Sequence, residues 1–356
     1  MKRFLAGEML ARAGARLGIT VELEPEFRYV GRIVLPDGRK HYFRNTNFDL
    51  NGQGAVEIAR DKAYAAFFLA RMGYPVPEGR TFFAPPMQRW SGATRGLADA
   101  YAYARDLGFP VMVKPNSASQ GRGVARVHTR RELERALRVV FARDSVALVQ
   151  RLIPGADYRI VVLDDQVICA YRRAPLAVTG DGAATIRDLL LRKHAAYSAS
   201  GRDTTIPLDD FRIPMRLHRL GLTLDSVPTA GAKVVLMDNA NLSTGGEAVD
   251  VSATLHPSYR QMAVALTRDL GLRHTGVDIL TAAPIDAPLG AYTVLEVNTA
   301  PGLDHYAQIG PAQMAVVEAM YAQILQAIVA LPLPAARPPG TAYLDKGQTQ
   351  AYNEYD

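Results

Sequence analysis

The sequence predicts a mixed α+β (α/β) chain built from more than one packed unit, and three observations carry that expectation. Its 356 residues exceed what one ordinary core encloses, so two or three subdomains are expected. Short apolar runs with strand character alternate with segments of helical spacing, and no internal repeat is found. Hydrophobic residues make up 48% and charged residues 21%, the balance of a soluble globular protein.

In chain order, a short helical start leads to a strand-like run at 29–35 and a hairpin turn at Pro36-Asp37-Gly38. Residues 61–72 have helical spacing, with Ala63, Phe67 and Ala70 on one side, and end at Gly73. After the extended Tyr74-Pro75-Val76-Pro77, a helix over Leu97–Leu107 stops at Gly108. A strand at 111–114, a glycine-bearing turn and a strand at 124–128 follow. Thr129 then caps a helix over 130–142, with Glu132 and Glu134 in its first turn. Strands at 147–150, 158–163 and 167–173 surround a break at Pro154-Gly155. Residues 185–194 read as helix, 198–219 show no clean period and read as loop or insertion, and 260–270 and 311–331 read as helices. The Pro- and Gly-rich tail after Pro332 turns polar and acidic and is expected to be poorly ordered.

The net charge is +6 and the pI about 9.4, with arginines scattered rather than gathered in blocks. Scattered charge favours a small anionic substrate and does not indicate nucleic acid. The single cysteine, Cys169, excludes an intramolecular disulfide and a cysteine metal cluster, and reads as a buried small hydrophobe. Glu8 and Arg12 interrupt the N-terminal apolar residues, so no signal peptide is expected. No run approaching eighteen apolar residues is seen, so no membrane association is expected and a cytoplasmic location is.

The residues that point to chemistry centre on Leu295–Gly302, Leu-Glu-Val-Asn-Thr-Ala-Pro-Gly. On a strand, Glu296 and Asn298 project together while Val297 points away. A carboxylate beside an amide oxygen suits a hard divalent cation, and a paired strand bearing Asp278 would add a third oxygen ligand. Alone, Glu-x-Asn is equally a polar strand end capping a turn. The segment 116–124, Asn-Ser-Ala-Ser-Gln-Gly-Arg-Gly-Val, lets backbone N–H groups approach phosphate closely, though a plain hairpin has the same composition. It is not a P-loop, because no Gly-Lys-Ser/Thr follows. Lys114 ends an apolar strand and Lys62 starts a helix, where a cation opposes the dipole unless an anion is near. Either lysine alone reads as a solvated group. Gln150 to Asp157 is a strand and turn that is either no more than that with an exposed acid, or a backbone beside the edge of a planar base with Asp157 accepting from a ribose hydroxyl. Arg159, Arg172 and Arg173 on neighbouring strands suit phosphate or carboxylate, or form a solvated sheet edge. Asn241-Leu-Ser-Thr-Gly-Gly246 is a donor-rich loop, and His256 reads as a cap before a helix.

As a set and in this order, these pieces resemble the ATP-grasp superfamily of carboxylate–amine ligases, in particular the ATP-grasp module of cyanophycin synthetase. Asp157-Tyr-Arg159, the run 173–182 with Thr185-Ile186, and Leu224-Asp-Ser-Val-Pro228 extend the match. Asn241–Gly246, His256-Pro257, Gly276-Val-Asp278 and 296–303 complete it, over roughly residues 55–310. The chain lacks the long N-terminal domain and the Mur-ligase-like half of cyanophycin synthetase, so cyanophycin synthesis is not expected. Many members also have Glu where Gln150 stands.

The resemblance implies an ATP-grasp fold in which two α+β subdomains sandwich ATP behind a short N-terminal domain. The implied division is 1–95, a lid subdomain at 96–180, a C-terminal subdomain with the Mg site at 181–335, and a tail at 336–356. Implied cofactors are ATP and Mg²⁺, two ions, with Mn²⁺ as a substitute. Lys62 and Lys114 would bind phosphates under a loop carrying Ser117, Ser119, Gln120, Gly121 and Gly123. Gln150, Arg151, Ile153 and Asp157 would hold adenosine, and Asp278, Glu296 and Asn298 the metal. Arg173, with Lys114 and Arg159, would act at the reacting carbonyl. Asn241, Ser243, Gly245, Gly246, Asp304 and His305 would face the substrate. Amino-acid or peptide substrates are implied, with a homodimer left open. A kinase acting on a hydroxyl, and a nucleotide-binding protein without turnover, are the alternatives the same fold allows.

Overall fold

A computed structural model describes residues 5–117, 121–199, 204, 206 and 208–332. Helix α1 (Leu5–Leu17) is amphipathic, burying Ala6, Met9, Leu10 and Ala13 on one stripe. An antiparallel meander follows: β1 (Thr20–Leu23), β2 (Val30–Val34), β3 (Lys40–Arg44) and β4 (Asn47–Phe48). Helices α2 (Gln53–Arg60) and α3 (Lys62–Arg71) then meet at Asp61, whose carboxylate accepts from Ala63 N and Tyr64 N and so starts α3.

A second four-stranded sheet, in the order β5-β8-β6-β7, comprises β5 (Gly79–Phe83), β6 (Val111–Pro115), β7 (Ala125–Val127) and β8 (Val146–Arg151). Between these strands lie α4 (Pro85–Ser91), α5 (Leu97–Leu107) and α6 (Arg130–Phe141), the last capped by Thr129. Phe82, Val111, Val113, Ala147 and Val149 pack with α5 and α6. The period-two alternation therefore sends Lys114, Leu148 and Gln150 to the opposite face.

The central sheet has five antiparallel strands in the order β13-β10-β9-β14-β15. Strands β9 (Ala156–Leu163) and β10 (Gln166–Ala174) form a hairpin, followed by β11 (Ala177–Thr179), α7 (Ile186–Ala199), α8 (Arg212–Arg219) and β12 (Lys233–Val235). Next come β13 (Glu247–Asp250), α9 (Pro257–Asp269), β14 (His274–Thr281) and β15 (Tyr292–Asn298). The chain then runs through α10 (Asp304–Ala307) into α11 (Pro311–Val329). One face of this sheet, with Tyr158, Ile160, Val162, Val277, Ile279 and Val297, packs on α9. The other face is divided along its length. Val161, Leu163, Cys169 and Tyr171 share a core with α1, β2, β3 and α11. Beyond them Asp157, Arg159, Arg173, Asp278 and Glu296 continue the same alternation as a charged end.

Two expectations change in detail. The stretch 198–219, read as loop, ends in the helix α8, whose Ile213 and Leu217 are buried along with Arg212. Helix α11 is long and apolar enough by length and composition to cross a membrane. Here it buries Val317, Met320, Tyr321, Ile324, Leu325 and Ile328 in the core shared with α1. The proposed tail, 336–356, lies outside the described residues, as do Ser119 and Gln120.

Candidate active site

The charged end of the central sheet is assembled by strand register. Asp278 pairs with Glu296 across β14 and β15 and with Arg159 across β14 and β9. Tyr171 and Arg173 on β10 lie opposite Arg159 and Asp157. Asp278 is fully buried. Its oxygens take two bonds from Arg159, at 2.6 and 2.7 Å, and one contact from Arg173 at 2.9 Å. Arg173 also pairs with Asp157 at 2.7 Å. Burial raises the Asp157 carboxyl above the usual carboxylate range, against the pull of Arg173.

The Asn298 amide completes the group, lying 3.4 Å from Asp278 Oδ2 and 3.3 Å from Glu296 Oε1. Turning that amide presents Oδ1 to the same space. Two carboxylates and an amide oxygen are the donor set a hard cation prefers, and a buried carboxylate such as Asp278 requires positive charge beside it. The residues therefore fit Mg²⁺. Among the described residues, no cluster of three or more His, Cys, Asp and Glu side chains offers a rival metal site.

Lys62 comes to this group from α3, its Nζ 3.6 Å from Glu296 Oε2. Asn116 makes that placement: its Oδ1 accepts from Ala63 N at 3.1 Å and its Nδ2 donates to Asp61 at 2.7 Å. The start of α3 is thereby stitched to the end of β6, bringing Lys62 and Lys114 together. Burial lowers the Lys114 ammonium to about 8, with Glu296 opposing and Lys62 reinforcing the shift. Burial alone would raise the Glu296 carboxyl, but Lys62, Lys114, Arg159 and Arg173 outweigh it and hold the group at about 2. Asp61 is not singled out by the sequence, and Asn116 enters there only as the first residue of the 116–124 segment. The signal at Asp61, an N-cap acid directly before a lysine, is local and carries no chemistry alone.

Gln150 is buried on β8 opposite Gly79, where an added Cβ would stand 2.4 Å from Gln150 Cγ. Glycine at 79 thus leaves room for the Gln150 side chain. A groove of about 830 Å³ borders Gln150 and is lined by Tyr64, Phe67, Phe68 and Arg80, but by none of the clustered charges. The charged cluster, rather than this apolar groove, carries the cationic side chains that a phosphate group takes as partners. Ile153 follows β8 in the connection to β9, half-buried.

Other residues singled out from sequence are placed differently. Arg151 pairs with Glu78 at 2.7 Å, half exposed. The Ser117 N–H donates to Asp144 at 2.9 Å, so that donor is already engaged. Arg212 donates to the carbonyls of Gly121 and Val124, at 2.9 and 2.7 Å, fixing the far side of the turn that contains Gly123. Gly121 lies against Asn239 and Asn241. Asn241 Oδ1 accepts from the Ser243 N–H and hydroxyl, closing a tight turn at Gly245, and Gly246 abuts the carbonyl of Ala174 beside Arg173. Asp304 and His305 begin α10, half-buried. Next to them Tyr306 stacks on Tyr171 and donates to Asp250.

Residues 70–179 match a family model described as the D-ala D-ala ligase C-terminus. The bifunctional glutathione biosynthesis protein GshAB of Streptococcus thermophilus is 33% identical over 247 residues, 67% of this chain and 31% of that protein. Cyanophycin synthetase of Trichormus variabilis is 33% identical over 275 residues, 75% of this chain and 29% of that protein. The chain thus spans about a third of the length of these curated relatives. Among solved structures, a bifunctional glutathione synthetase from Pasteurella multocida superposes with a TM-score of 0.55 at 24% identity. That match covers 90% of this chain and 44% of the other, and shows the fold. These matches make the chain a homologue of ligases of the ATP-grasp superfamily.

Proposed function

We propose that the chain is an ATP-dependent carboxylate–amine ligase that joins amino acids or peptides through an acyl phosphate, releasing ADP and phosphate. One observation carries the reading: Lys62, Lys114, Arg159 and Arg173 converge with Asp278, Glu296 and Asn298 on the charged end of one sheet face. Such a site suits a polyanion delivered with a divalent cation.

Asp278, Glu296 and Asn298 would hold Mg²⁺, two ions with Mn²⁺ as a substitute, and the metal would neutralise phosphate oxygens when bound. Lys62 and Lys114 would hold the phosphates, with Ser117, Gly121 and Gly123 beside them, while Ser119 and Gln120 lie outside the described residues. Gln150, Arg151, Ile153 and Asp157 would hold adenosine. A substrate carboxylate oxygen attacks the γ-phosphorus as the bond to ADP breaks. An amine nitrogen then attacks the acyl carbon, loses its proton, and phosphate departs. Arg173, beside Arg159, would stabilise the oxyanion at that carbon. The Asn241–Gly246 turn, with Asp304 and His305, would border the amine. Excluding water protects the acyl phosphate.

The test is an ATP-dependent screen of acid and amine pairs, reading phosphate release and product mass together. Free phosphate that requires both partners, with an amide product, is expected. A phosphate ester without free phosphate would make the chain a kinase instead.

A further inference from the structure

Asn51 lies in the turn between β4 and α2, outside every element that carries the charged cluster. Its side chain nevertheless bridges the ends of both ligand-bearing strands. Oδ1 accepts from Arg273 N at 2.8 Å and from His274 N at 3.0 Å. Nδ2 donates to His274 O at 2.8 Å and to Thr299 O at 3.0 Å. An amide has two N–H donors and one oxygen with two lone pairs, so this one is saturated. The ladder between β14 and β15 ends at the pair Gly276–Asn298, and Asn51 stands where the next rungs would be. Thr46, from the turn between β3 and β4, adds a bond to Ala300 O at 2.9 Å. Thr299 itself is buried.

We propose that Asn51, assisted by Thr46, is a positioning residue for the cation site: it fixes the backbone beyond Asn298 so that the Asn298 amide stays against Asp278 and Glu296. The proposal rests on reading Asp278, Glu296 and Asn298 as the cation ligands. Removing the amide leaves two N–H groups and two carbonyls at the strand ends without these partners, and frees the strand end that presents Asn298. The β1–β4 unit is then part of the catalytic framework through this turn.

The test uses the full chain with a nonhydrolysable ATP analogue. Mn²⁺ binding is followed by electron paramagnetic resonance, and a fluorescent ATP analogue is titrated separately in EDTA. Asn51→Ala should weaken Mn²⁺ binding about tenfold, the size of effect known for groups that orient metal ligands, and metal-free nucleotide affinity less than about twofold. Equal losses in both titrations would mean a general structural role and overturn the proposal, as would unchanged Mn²⁺ binding. Should Asn51→Ala not fold, Thr46→Val carries the test: a weaker, Mn²⁺-only loss supports the proposal, and unchanged Mn²⁺ binding overturns it. Absence of nucleotide-dependent Mn²⁺ binding in the unsubstituted chain would overturn the site reading and the proposal together.

Discussion

Arg159 grips Asp278 across the antiparallel pair β9–β14, Nε to Oδ1 at 2.6 Å and Nη2 to Oδ2 at 2.7 Å. Arg173 reaches the same carboxylate at 2.9 Å. The group with the chemistry of a metal ligand therefore has both oxygens engaged by guanidinium. Arginine and the proposed cation would act on one buried charge.

Arg159→Ala should accordingly lower stability by about 3 kcal/mol, because it takes the main partner from a buried carboxylate. Arg173 keeps the loss at the lower end of that range. Millimolar Mg²⁺ should restore part of the loss and stabilise the variant more than the parent. Chemical denaturation with and without Mg²⁺ measures both. Equal stabilisation of the two proteins would separate Asp278 from the cation site.

Glu296→Gln is expected to keep the fold, since Glu296 is only half-buried, and to cut kcat/KM by about a hundredfold or more. It also takes away the anion that supports the charge on Lys114. Burial and Lys62 would then act unopposed by Glu296, and the Lys114 ammonium should titrate below its present value of about 8. A pH profile of nucleotide binding in the variant, shifted to lower pH, checks this. An unshifted profile would place Lys114 outside the influence of Glu296.

Much of this site was legible because it follows period two. Glu296 and Asn298 share a face with Val297 opposite, and Val297 does pack against α9. The hairpin at Pro36-Asp37-Gly38 joins β2 to β3 as its turn residues imply. Helix α8 was not legible, because Arg212 lies on its buried side with Ile213 and Leu217, and a buried guanidinium breaks the apolar period. Asn51 was not legible for a different reason. It belongs to no periodic element, and its partners at Arg273, His274 and Thr299 are more than two hundred residues away in sequence.

Lys114 sets a pH dependence whose sign can be worked out. Its pKa in the free protein is depressed to about 8, so above that pH the ammonium loses its proton. Bound phosphates favour the charged form and raise that pKa. Between the two values, binding must take up a proton, and nucleotide affinity should fall as pH rises from about 8. Calorimetry in buffers of different ionisation enthalpy should detect proton uptake near pH 8.5, about half a unit above the free value. No uptake there would show that Lys114 does not meet the phosphates.

Arg212→Ala tests whether the glycine turn depends on α8. Arg212 is buried, clasps Asp210 by two bonds of 2.8 and 2.7 Å, and donates to the carbonyls of Gly121 and Val124. The same helix carries Arg216, bonded to Asp238, and Arg219, which pairs with Glu132 at 3.2 Å. Spacing of four and three places all three arginines on one side, where they tie the sheet bearing the turn to the segment before Asn241. Without Arg212, Gly121 and Val124 lose the donor that fixes them, and Asp210 loses its guanidinium. KM for ATP should rise about tenfold, with a smaller change in kcat, because a binding contact is loosened while the reacting groups stay in place. Arg212→Lys should recover little, since an ammonium cannot clasp Asp210 through two parallel bonds and still reach both carbonyls. Steady-state kinetics at saturating acid and amine separate the two parameters. A fall in kcat with unchanged KM would place Arg212 in the chemical step and remove the turn from its charge.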